Sequence, residues 1–309
     1  MNVIRRLYMS LCISTVGGDS RQYYMLLRLF TYFSRICQPV LIKCYGLNIS
    51  PEQQTGLQTC YHDSILFCSG LPEAVKGADL LICPAPFTRD GIHLNLSDRA
   101  NSVSISELSD LKHLPAFIAG GGIPKHFSNS VKSRTLLKDY MKDSDFLNTN
   151  STLTAEGLLS YIIRNTDCSI TGARILIAGY GHCGEQIAAK LSVLSAEISI
   201  FDKDPDRQKA AEDAGFPFYD IHAWPFVHAD FDLIINTIPS PVFKSCFLRH
   251  LKKDCVLFEV ASRPGGFDED MCRGLSLKLI SCPGIPGKTA PKPAGEAIAD
   301  AVLPLLKQF

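Results

Sequence analysis

The hydrophobic pattern of the chain alternates short apolar runs with longer stretches in which apolar and polar residues recur at helical spacing. The apolar runs are rich in β-branched residues and end near glycine, proline or asparagine, which is typical of buried parallel strands. Alternation of such strands with amphipathic helices predicts βα units, and hence an α/β fold with mostly parallel sheets. The runs predict strands at residues 11–16, 39–45, 78–84, 115–121, 174–179, 197–202, 232–239, 255–262 and 277–283.

The amphipathic stretches predict helices and a boundary between two domains. A polar, cap-rich stretch precedes the apolar run LLSYII, and Thr154 is predicted to be the N-cap of a helix there. That helix is expected to bridge a first domain, 1–150, and a second domain, 151–309. A last helix at about 291–309 is expected to pack back on the first domain. Helices in the first half are predicted at 21–36, 71–77, 104–113 and 131–142.

Length and charge narrow the possible functions. The 309 residues are enough for two domains of about 150 residues each. With 31 Lys+Arg against 31 Asp+Glu, the chain lacks the basic excess expected of a protein that binds nucleic acid or an anionic membrane surface. No apolar window of about 20 residues predicts a membrane span.

The cysteines, histidines and first residues carry no separate chemistry. The twelve cysteines contain no C-x-x-C pair and are expected to be free thiols in a cytoplasmic protein. Isolated histidines such as His222 and His228 predict no metal site. Arg5-Arg6 ahead of an apolar run resembles a short signal peptide, but the run lacks a small-residue cleavage site and leads into a glycine turn. A first buried strand is therefore the favoured interpretation.

The segment RILIAGYGHCGEQIAAKL carries the strongest chemical signal. It places G-x-G-x-x-G between a predicted strand and a predicted helix, with an acidic residue, Asp202, at the end of the next strand. In this pattern the glycines permit a tight turn, close approach of a pyrophosphate and close packing of helix on strand. The second domain is therefore predicted to be a Rossmann dinucleotide-binding domain. The residues expected to line its fingerprint turn are Gly179, Tyr180, Gly181, His182, Cys183 and Gly184.

The identity of the dinucleotide stays open between NADP and NAD. Asp202 is expected to accept hydrogen bonds from the adenosine ribose hydroxyls, which favours NAD. Lys203 either binds the 2′-phosphate of NADP or is a solvated surface lysine. Two further strand ends are expected to line the cofactor or to be plain strand exits. These are Thr237, Ile238 and Pro239 after one strand, and Ala261 and Ser262 after the next.

The loop at 282–295 resembles a P-loop only superficially. Cys282 stands where that motif requires its first glycine, and prolines remove amide donors that a phosphate needs. The loop is expected instead to place Lys288 and Lys292 at a cleft between the domains, where they would hold a carboxylate. The alternative is that both are solvated loop lysines.

A second candidate anion site follows the first predicted strand. Asp19 is predicted to cap the helix that begins there. Arg21 lies in the first turn of this helix, where a cation is poorly placed for the helix dipole. That placement favours a role for Arg21 in holding an anion.

Taken in order, these motifs resemble the family of the larger dipicolinate synthase subunit, part of the enzyme that makes pyridine-2,6-dicarboxylate in spore-forming bacteria. The resemblance covers nearly the whole chain. The proline- and glycine-rich segments are its most specific part, because many dehydrogenases share the fingerprint. The segments that carry it are VGGDSRQ (16–22), TAEGLLSYIIRNTDCSITG (154–172), AGYGHCGEQIA (178–188), INTIPSPVF (235–243), EVASRPGGFD (259–268) and PGIPGKTAPKPAGEAIAD (283–300).

The resemblance implies a cytoplasmic NAD(P)-dependent oxidoreductase that converts 4-hydroxy-tetrahydrodipicolinate, or its dehydrated form, to dipicolinate for spore formation. It implies that the partner is the second, flavoprotein-like subunit of dipicolinate synthase, and a homo-oligomer is expected. For this chemistry Arg21, Lys288 and Lys292 are expected to bind the dicarboxylate substrate. Asp19, Glu156 and Lys288 are the catalytic candidates, with the two carboxylates as possible proton acceptors.

Two other functions fit the same motifs. One is an amino-acid or hydroxy-acid dehydrogenase of the alanine dehydrogenase type, which also combines a substrate domain with a Rossmann domain. The other is a non-catalytic subunit that senses NAD(P)H. The paired lysines of the 282–295 loop argue against the sensor, because a sensor needs no second anion site.

Overall fold

The structure, a computed structural model, describes residues 11–96, 102–221 and 230–307. Arg5, Arg6, His222 and His228 lie outside the described residues. The chain divides into two compact units, one formed by Met1–Thr149 with Ala290–Phe309 and the other by Asn150–Thr289. The predicted α/β fold is confirmed in each unit, because the named strands pair in parallel throughout.

The first unit is built on one parallel sheet with helices between its strands. Its strands are β1 (Leu11–Val16), β2 (Val40–Tyr45), β3 (Ile65–Phe67), β4 (Leu80–Ile82), β5 (Phe117–Gly120) and β6 (Leu136–Asp139). In the part of the unit that the structure describes, the strand order is β3-β2-β1-β4-β5-β6. The connecting helices are α1 (Ser20–Arg35), α2 (Pro51–Cys60), α3 (Leu71–Val75), α4 (Ile105–Ser109) and α5 (Lys125–Val131), and a 3-10 turn follows at Tyr140–Lys142.

The second unit repeats this architecture. Its strands are β7 (Arg174–Ala178), β8 (Glu197–Asp202), β9 (Phe218–Asp220), β10 (Leu233–Asn236), β11 (Val256–Glu259) and β12 (Lys278–Ser281). Over the described residues their order is β12-β11-β10-β7-β8-β9. The helices are α6 (Ser144–Asn165), α7 (His182–Val193), α8 (Pro205–Asp213), α9 (Ser245–Leu248), α10 (Glu269–Gly274) and α11 (Ile285–Thr289). The boundary between the units, at Thr149–Asn150, falls inside α6.

The two strand orders share one consequence for ligand binding. In each sheet the chain first adds strands on one side of its first strand and then returns to add strands on the other. The switch points lie between β1 and β4 in the first sheet and between β7 and β10 in the second. Ligands of doubly wound sheets bind at the carboxyl ends of the strands that flank a switch point. Each unit therefore has one crevice where its functional residues are expected.

The last helix, α12 (Pro291–Leu306), completes the core of the first unit. Its Ile298 and Val302 are fully buried in the cluster that contains Met25 of α1. The approach of the two helices requires a glycine, because a Cβ at Gly295 would lie 2.2 Å from the carbonyl oxygen of Arg21. The helix α12 therefore packs directly against the first turn of α1.

The predicted helix at 131–142 is wrong. The helix in this region is α5, which ends at Val131, and Leu136–Asp139 form strand β6. Leu136 pairs with Phe117 of β5 in parallel register. An edge position on a sheet, which only the tertiary fold supplies, outweighs the local helical spacing.

The prediction that Thr154 caps a helix is also wrong. Thr154 lies inside α6, which begins at Ser144. Its hydroxyl donates to the carbonyl oxygen of Asn150 at 2.7 Å, one turn earlier in the helix. Such back-bonding lets a cap-type residue sit inside a helix. The cap-rich composition of 148–154 therefore did not mark a helix start.

Candidate functional site

The fingerprint turn joins β7 to α7. Gly179 has φ +90°, and a Cβ there would lie 2.3 Å from the Thr237 hydroxyl oxygen. A Cβ at Gly184 would lie 1.8 Å from the carbonyl oxygen of Gly179. Both positions therefore require glycine, as the dinucleotide pattern predicts for a tight turn and close helix packing.

The start of α7 is suited to an anion. Gly181 is the N-cap and supplies no side-chain hydrogen bond to the amides of the first turn, which contains His182 and Cys183. The space where a Cβ of Gly181 would point is open to 4 Å. Uncapped amides at a helix N-terminus are donors for a phosphate oxygen. These residues fit the pyrophosphate of a dinucleotide.

Asp202 ends β8 beside the same turn. Its Oδ2 accepts a hydrogen bond from the Tyr180 amide at 2.8 Å, and its Oδ1 accepts one from the Lys203 amide at 2.7 Å. The carboxylate is thus fixed next to the fingerprint. The Lys203 side chain is exposed and forms no ion pair among the described residues. The arrangement presents a negative charge where the adenosine ribose of a dinucleotide binds in Rossmann domains.

The segment after β10 lies on the other side of the switch point. The amide and the hydroxyl of Thr237 both donate to the carbonyl oxygen of Ala178, each at 2.8 Å. Ile238 approaches Gly179 so closely that a Cβ there would lie 3.0 Å from its side chain. Thr237 and Ile238 therefore border the fingerprint turn, and Pro239, which follows them, is exposed.

Next to this segment, Asn236 and Glu259 form a polar pair that sequence reasoning missed. They are register partners at the ends of β10 and β11, and Asn236 Nδ2 donates to Glu259 Oε1 at 2.7 Å. Burial raises the pKa of Glu259, and hydrogen bonds from Asn236 and from backbone amides oppose the rise. The only signal in the sequence was an acidic residue that closes the apolar run CVLFE.

Ala261 and Ser262 belong to the loop that Glu259 holds. The Ala261 amide donates to Glu259 Oε1 at 3.1 Å and to the Asn236 carbonyl. Ser262 is exposed and accepts from the Gly265 amide through its backbone carbonyl at 3.0 Å. Both residues follow β11 at the carboxyl edge of the second sheet.

In the first unit, the half-buried Asp19 and the buried Arg21 form an ion pair at the switch point. Arg21 donates through Nε and Nη2 to the two carboxylate oxygens of Asp19, at 2.8 and 2.9 Å, and its Nη2 also donates to the carbonyl oxygen of Ala85. The residue is 4% exposed, and its Nη1 makes no hydrogen bond among the described residues. Burial raises the pKa of Asp19, but hydrogen bonds and the charge of Arg21 outweigh it and lower that pKa overall.

The other predicted residues are placed as follows. Glu156, on α6, forms an ion pair with Lys190 of α7 at 3.1 Å. Lys288 lies in the last turn of α11 and Lys292 in the first turn of α12. Both lysines are exposed and form no ion pair within the described part of the chain. Burial raises the pKa of the Cys183 thiol, against a lowering contribution from Thr154.

No group of three or more His, Cys, Asp and Glu residues in 11–96, 102–221 and 230–307 could hold a metal ion. Within the same ranges no helix is long and apolar enough to cross a membrane.

Comparisons with known proteins agree with the geometry. No family model matches the chain. It is 27% identical to a dipicolinate synthase subunit of Bacillus subtilis in an alignment of 303 positions that covers 96% of each chain. A crystal structure of dipicolinate synthase from the same organism superposes with a TM-score of 0.76 at 24% identity, covering 98% of both chains. A structure of L-alanine dehydrogenase superposes with a TM-score of 0.59 at 12% identity, covering 96% of this chain and 89% of that one.

The alanine dehydrogenase match shows a shared α/β fold and no more. The predicted resemblance is confirmed: over 96% of its length the chain is similar in sequence to the B. subtilis dipicolinate synthase subunit, and it has the fold of the synthase crystal structure.

Proposed function

We propose that the chain is a nicotinamide-dependent oxidoreductase that forms dipicolinate from 4-hydroxy-tetrahydrodipicolinate or its dehydrated form. The observation that carries the proposal is the fingerprint turn with the Asp202 carboxylate fixed on the Tyr180 amide. It occurs in a chain that is similar to a dipicolinate synthase subunit over 96% of its length.

The reaction sets modest demands on the protein. Loss of water from the hydroxylated ring gives a dihydropyridine dicarboxylate, and loss of one hydride and one proton from that ring gives the aromatic pyridine. A bound nicotinamide supplies the acceptor of the hydride. Aromatic stabilisation of the product drives the oxidation. The protein must hold a planar dicarboxylate in contact with the cofactor and accept one proton.

The second unit would hold the dinucleotide through groups already described. The first-turn amides of α7 would bind the pyrophosphate, and Asp202 would accept hydrogen bonds from the ribose hydroxyls. Residues 237–239 and 261–262 would line the nicotinamide half. Because the carboxylate of Asp202 would oppose a 2′-phosphate, we propose NAD as the preferred nucleotide, with Lys203 as a solvated side chain.

Three cations are proposed to bind the substrate carboxylates. Lys288 and Lys292 support this role because both are exposed and free of ion pairs among the described residues. The charge of Arg21 is already balanced by Asp19, so its contribution would be a hydrogen bond from the unpaired Nη1. Arg21 would therefore orient a carboxylate, while the lysines supply the opposite charge.

Asp19 and Glu156 remain the proposed proton acceptors. Arg21 lowers the pKa of Asp19, which makes this carboxylate a weak base near neutral pH. Glu156 pairs with Lys190, which lies in the last turn of α7, whereas the fingerprint turn lies at the first turn of that helix. These observations favour Asp19 as the residue that orients Arg21, and they do not favour Glu156 over Asp19 as the base.

The B. subtilis relative is named as one subunit of its synthase, which supports a second, different chain as partner. We propose that this partner is the flavoprotein-like subunit of dipicolinate synthase.

The decisive experiment follows the absorbance of the pyridine product from 4-hydroxy-tetrahydrodipicolinate, with NAD or NADP and with or without the partner. Formation of dipicolinate with reduction of the nucleotide is the expected result. Turnover of an amino or hydroxy acid alone would favour the alanine dehydrogenase alternative, and nucleotide binding without hydride transfer would favour a sensor.

A further inference from the structure

One carboxylate, that of Glu259, joins the end of β10 to both ends of the loop that follows β11. Glu259 Oε1 accepts hydrogen bonds from Asn236 Nδ2 at 2.7 Å and from the Ala261 amide at 3.1 Å. Its Oε2 accepts from the amides of Gly266 at 2.7 Å and Phe267 at 3.3 Å. The side chain therefore ties both ends of the 261–267 loop to the end of β10.

Asn236 extends the connection to the loop after β10. Its side chain is fully buried, donates from Nδ2 to the Ile238 carbonyl at 2.9 Å, and accepts at Oδ1 from the Ile238 amide at 3.1 Å. The amide group is thus fully occupied between Ile238 and Glu259. A shift of either loop would break hydrogen bonds that a buried Asn236 has no water to replace.

The glycines of the motif PGG allow this closure. A Cβ at Gly266 would lie 2.5 Å from Asn236 Nδ2, and a Cβ at Gly265, which has φ +80°, would lie 2.8 Å from Glu259 Oε2. Gly265, Gly266 and Phe267 are buried while Ser262 and Arg263 are exposed. The network thus anchors the buried residues 265–267 of the loop, while Ser262 and Arg263 are exposed at the carboxyl edge of the sheet.

We propose that Glu259, acting through Asn236, is a positioning residue that fixes the two loops bordering the nicotinamide half of the dinucleotide. This inference rests on the proposed function for the identity of the ligand. Asp202 and the adenosine half belong to the β8 side of the switch point, whereas both anchored loops belong to the β10 and β11 side. Loss of the anchor should therefore weaken contacts to one half of the cofactor only.

The test compares two ligands in the full chain. Glu259→Gln replaces an acceptor oxygen by an N–H2 group that faces amide donors, so at least one pair of hydrogen bonds is lost. We expect the Kd for NADH to rise about tenfold or more, while the Kd for ADP-ribose, which lacks the nicotinamide, changes by no more than about twofold. Both constants are measured by titration calorimetry. Glu259→Asp keeps the charge on a shorter side chain and should give a smaller rise.

Asp232→Asn is the matched control. Asp232 precedes β10 at the opposite end of the strand, where it accepts from the Arg174 amide at 2.7 Å and from Lys252. It should alter the Kd of neither ligand. Equal losses of NADH and ADP-ribose affinity in Glu259→Gln, or an unchanged NADH affinity, would overturn the positioning role.

A second readout separates this inference from the proposed function. If the wild-type chain binds neither ligand, the proposed function fails, and amide hydrogen exchange at Gly266 and Phe267 then decides whether Glu259 anchors the loop. Exchange that is at least about tenfold faster in Glu259→Gln than in wild type and Asp232→Asn supports the anchor. Unchanged exchange at these two amides contradicts it.

Discussion

At the scale of single residues, two backbone hydrogen bonds fix the direction of the Asp202 carboxylate beside the fingerprint turn. The amides of Tyr180 and Lys203 both donate to its carboxylate, so its charge cannot swing away from a ligand at the fingerprint turn. Ribose hydroxyls would donate to this carboxylate. A 2′-phosphate would instead bring further negative charge against this carboxylate, with only the exposed Lys203 beside it to compensate.

We therefore expect the wild-type protein to bind NADH more tightly than NADPH. In Asp202→Ser, the Kd for NADPH divided by the Kd for NADH should be about ten- to a hundredfold smaller than in the wild type. Fluorescence titration with each nucleotide measures the ratio. Lys203→Ala is the control and should change it by no more than about twofold. Tighter binding of NADPH by the wild type would contradict the assignment of Asp202.

Lys288 provides a second test at this scale. Because it is exposed and free of ion pairs among the described residues, its ammonium group is available to a carboxylate. Lys288→Ala should raise the KM for the dicarboxylate about tenfold or more and leave the Kd of the dinucleotide within about twofold. Lys278→Ala is the control, because Lys278 is also exposed but begins β12, whereas Lys288 follows the other end of that strand. If Lys288→Ala raised the KM for the dicarboxylate and the Kd of the dinucleotide by the same factor, the substitution would have a general effect on the second unit, and the proposed role of Lys288 would be contradicted.

At the scale of elements, prediction succeeded where the local pattern and the tertiary environment agree. β1 and β8 begin and end at the predicted residues because each is an apolar run that leads into a turn on a buried sheet. The helix at 131–142 failed because Leu136 finds a strand partner that its neighbours in sequence cannot reveal. The Asn236–Glu259 pair was missed for the same reason, since its members lie 23 residues apart in neighbouring strands.

Contact between α1 and α12 can be tested through a glycine. Gly295→Ala would place a Cβ 2.2 Å from the Arg21 carbonyl oxygen, so the helices must move apart. We expect the free energy of unfolding to fall by about 1–3 kcal/mol. Gly56→Ala is the matched control, since Gly56 lies in α2 with nothing within 4 Å of its Cβ position. That variant should instead gain up to about 1 kcal/mol from reduced chain entropy, and both values come from urea unfolding curves. Equal stability of the two variants would contradict the close packing.

At the scale of the whole molecule, the balanced charge and the many thiols are both compatible with the proposed chemistry. A small dianionic substrate needs only a few local cations, so a formal net charge of zero is sufficient. All twelve cysteines are free, and five of them are buried. A buried thiol packs as a small apolar group and stays protonated. The cores thus depend on the neutral form of these side chains.

This dependence predicts a loss of stability in alkali. Burial raises the pKa of Cys255 to about 12 and the pKa values of Cys272 and Cys282 to about 11, from an ordinary value of 9.0. At a pH between 9.0 and 11, these thiols lose their protons in the unfolded chain but keep them in the folded chain. Their contribution to the free energy of unfolding is therefore fully present below pH 9.0 and decreases as the pH rises toward 11. Urea unfolding under reducing conditions at several pH values measures the slope. The triple variant Cys255→Ala, Cys272→Ala, Cys282→Ala should show a shallower slope than wild type above pH 9.0, although it is less stable at neutral pH. Identical slopes would show that these thiols do not ionise on unfolding in that range.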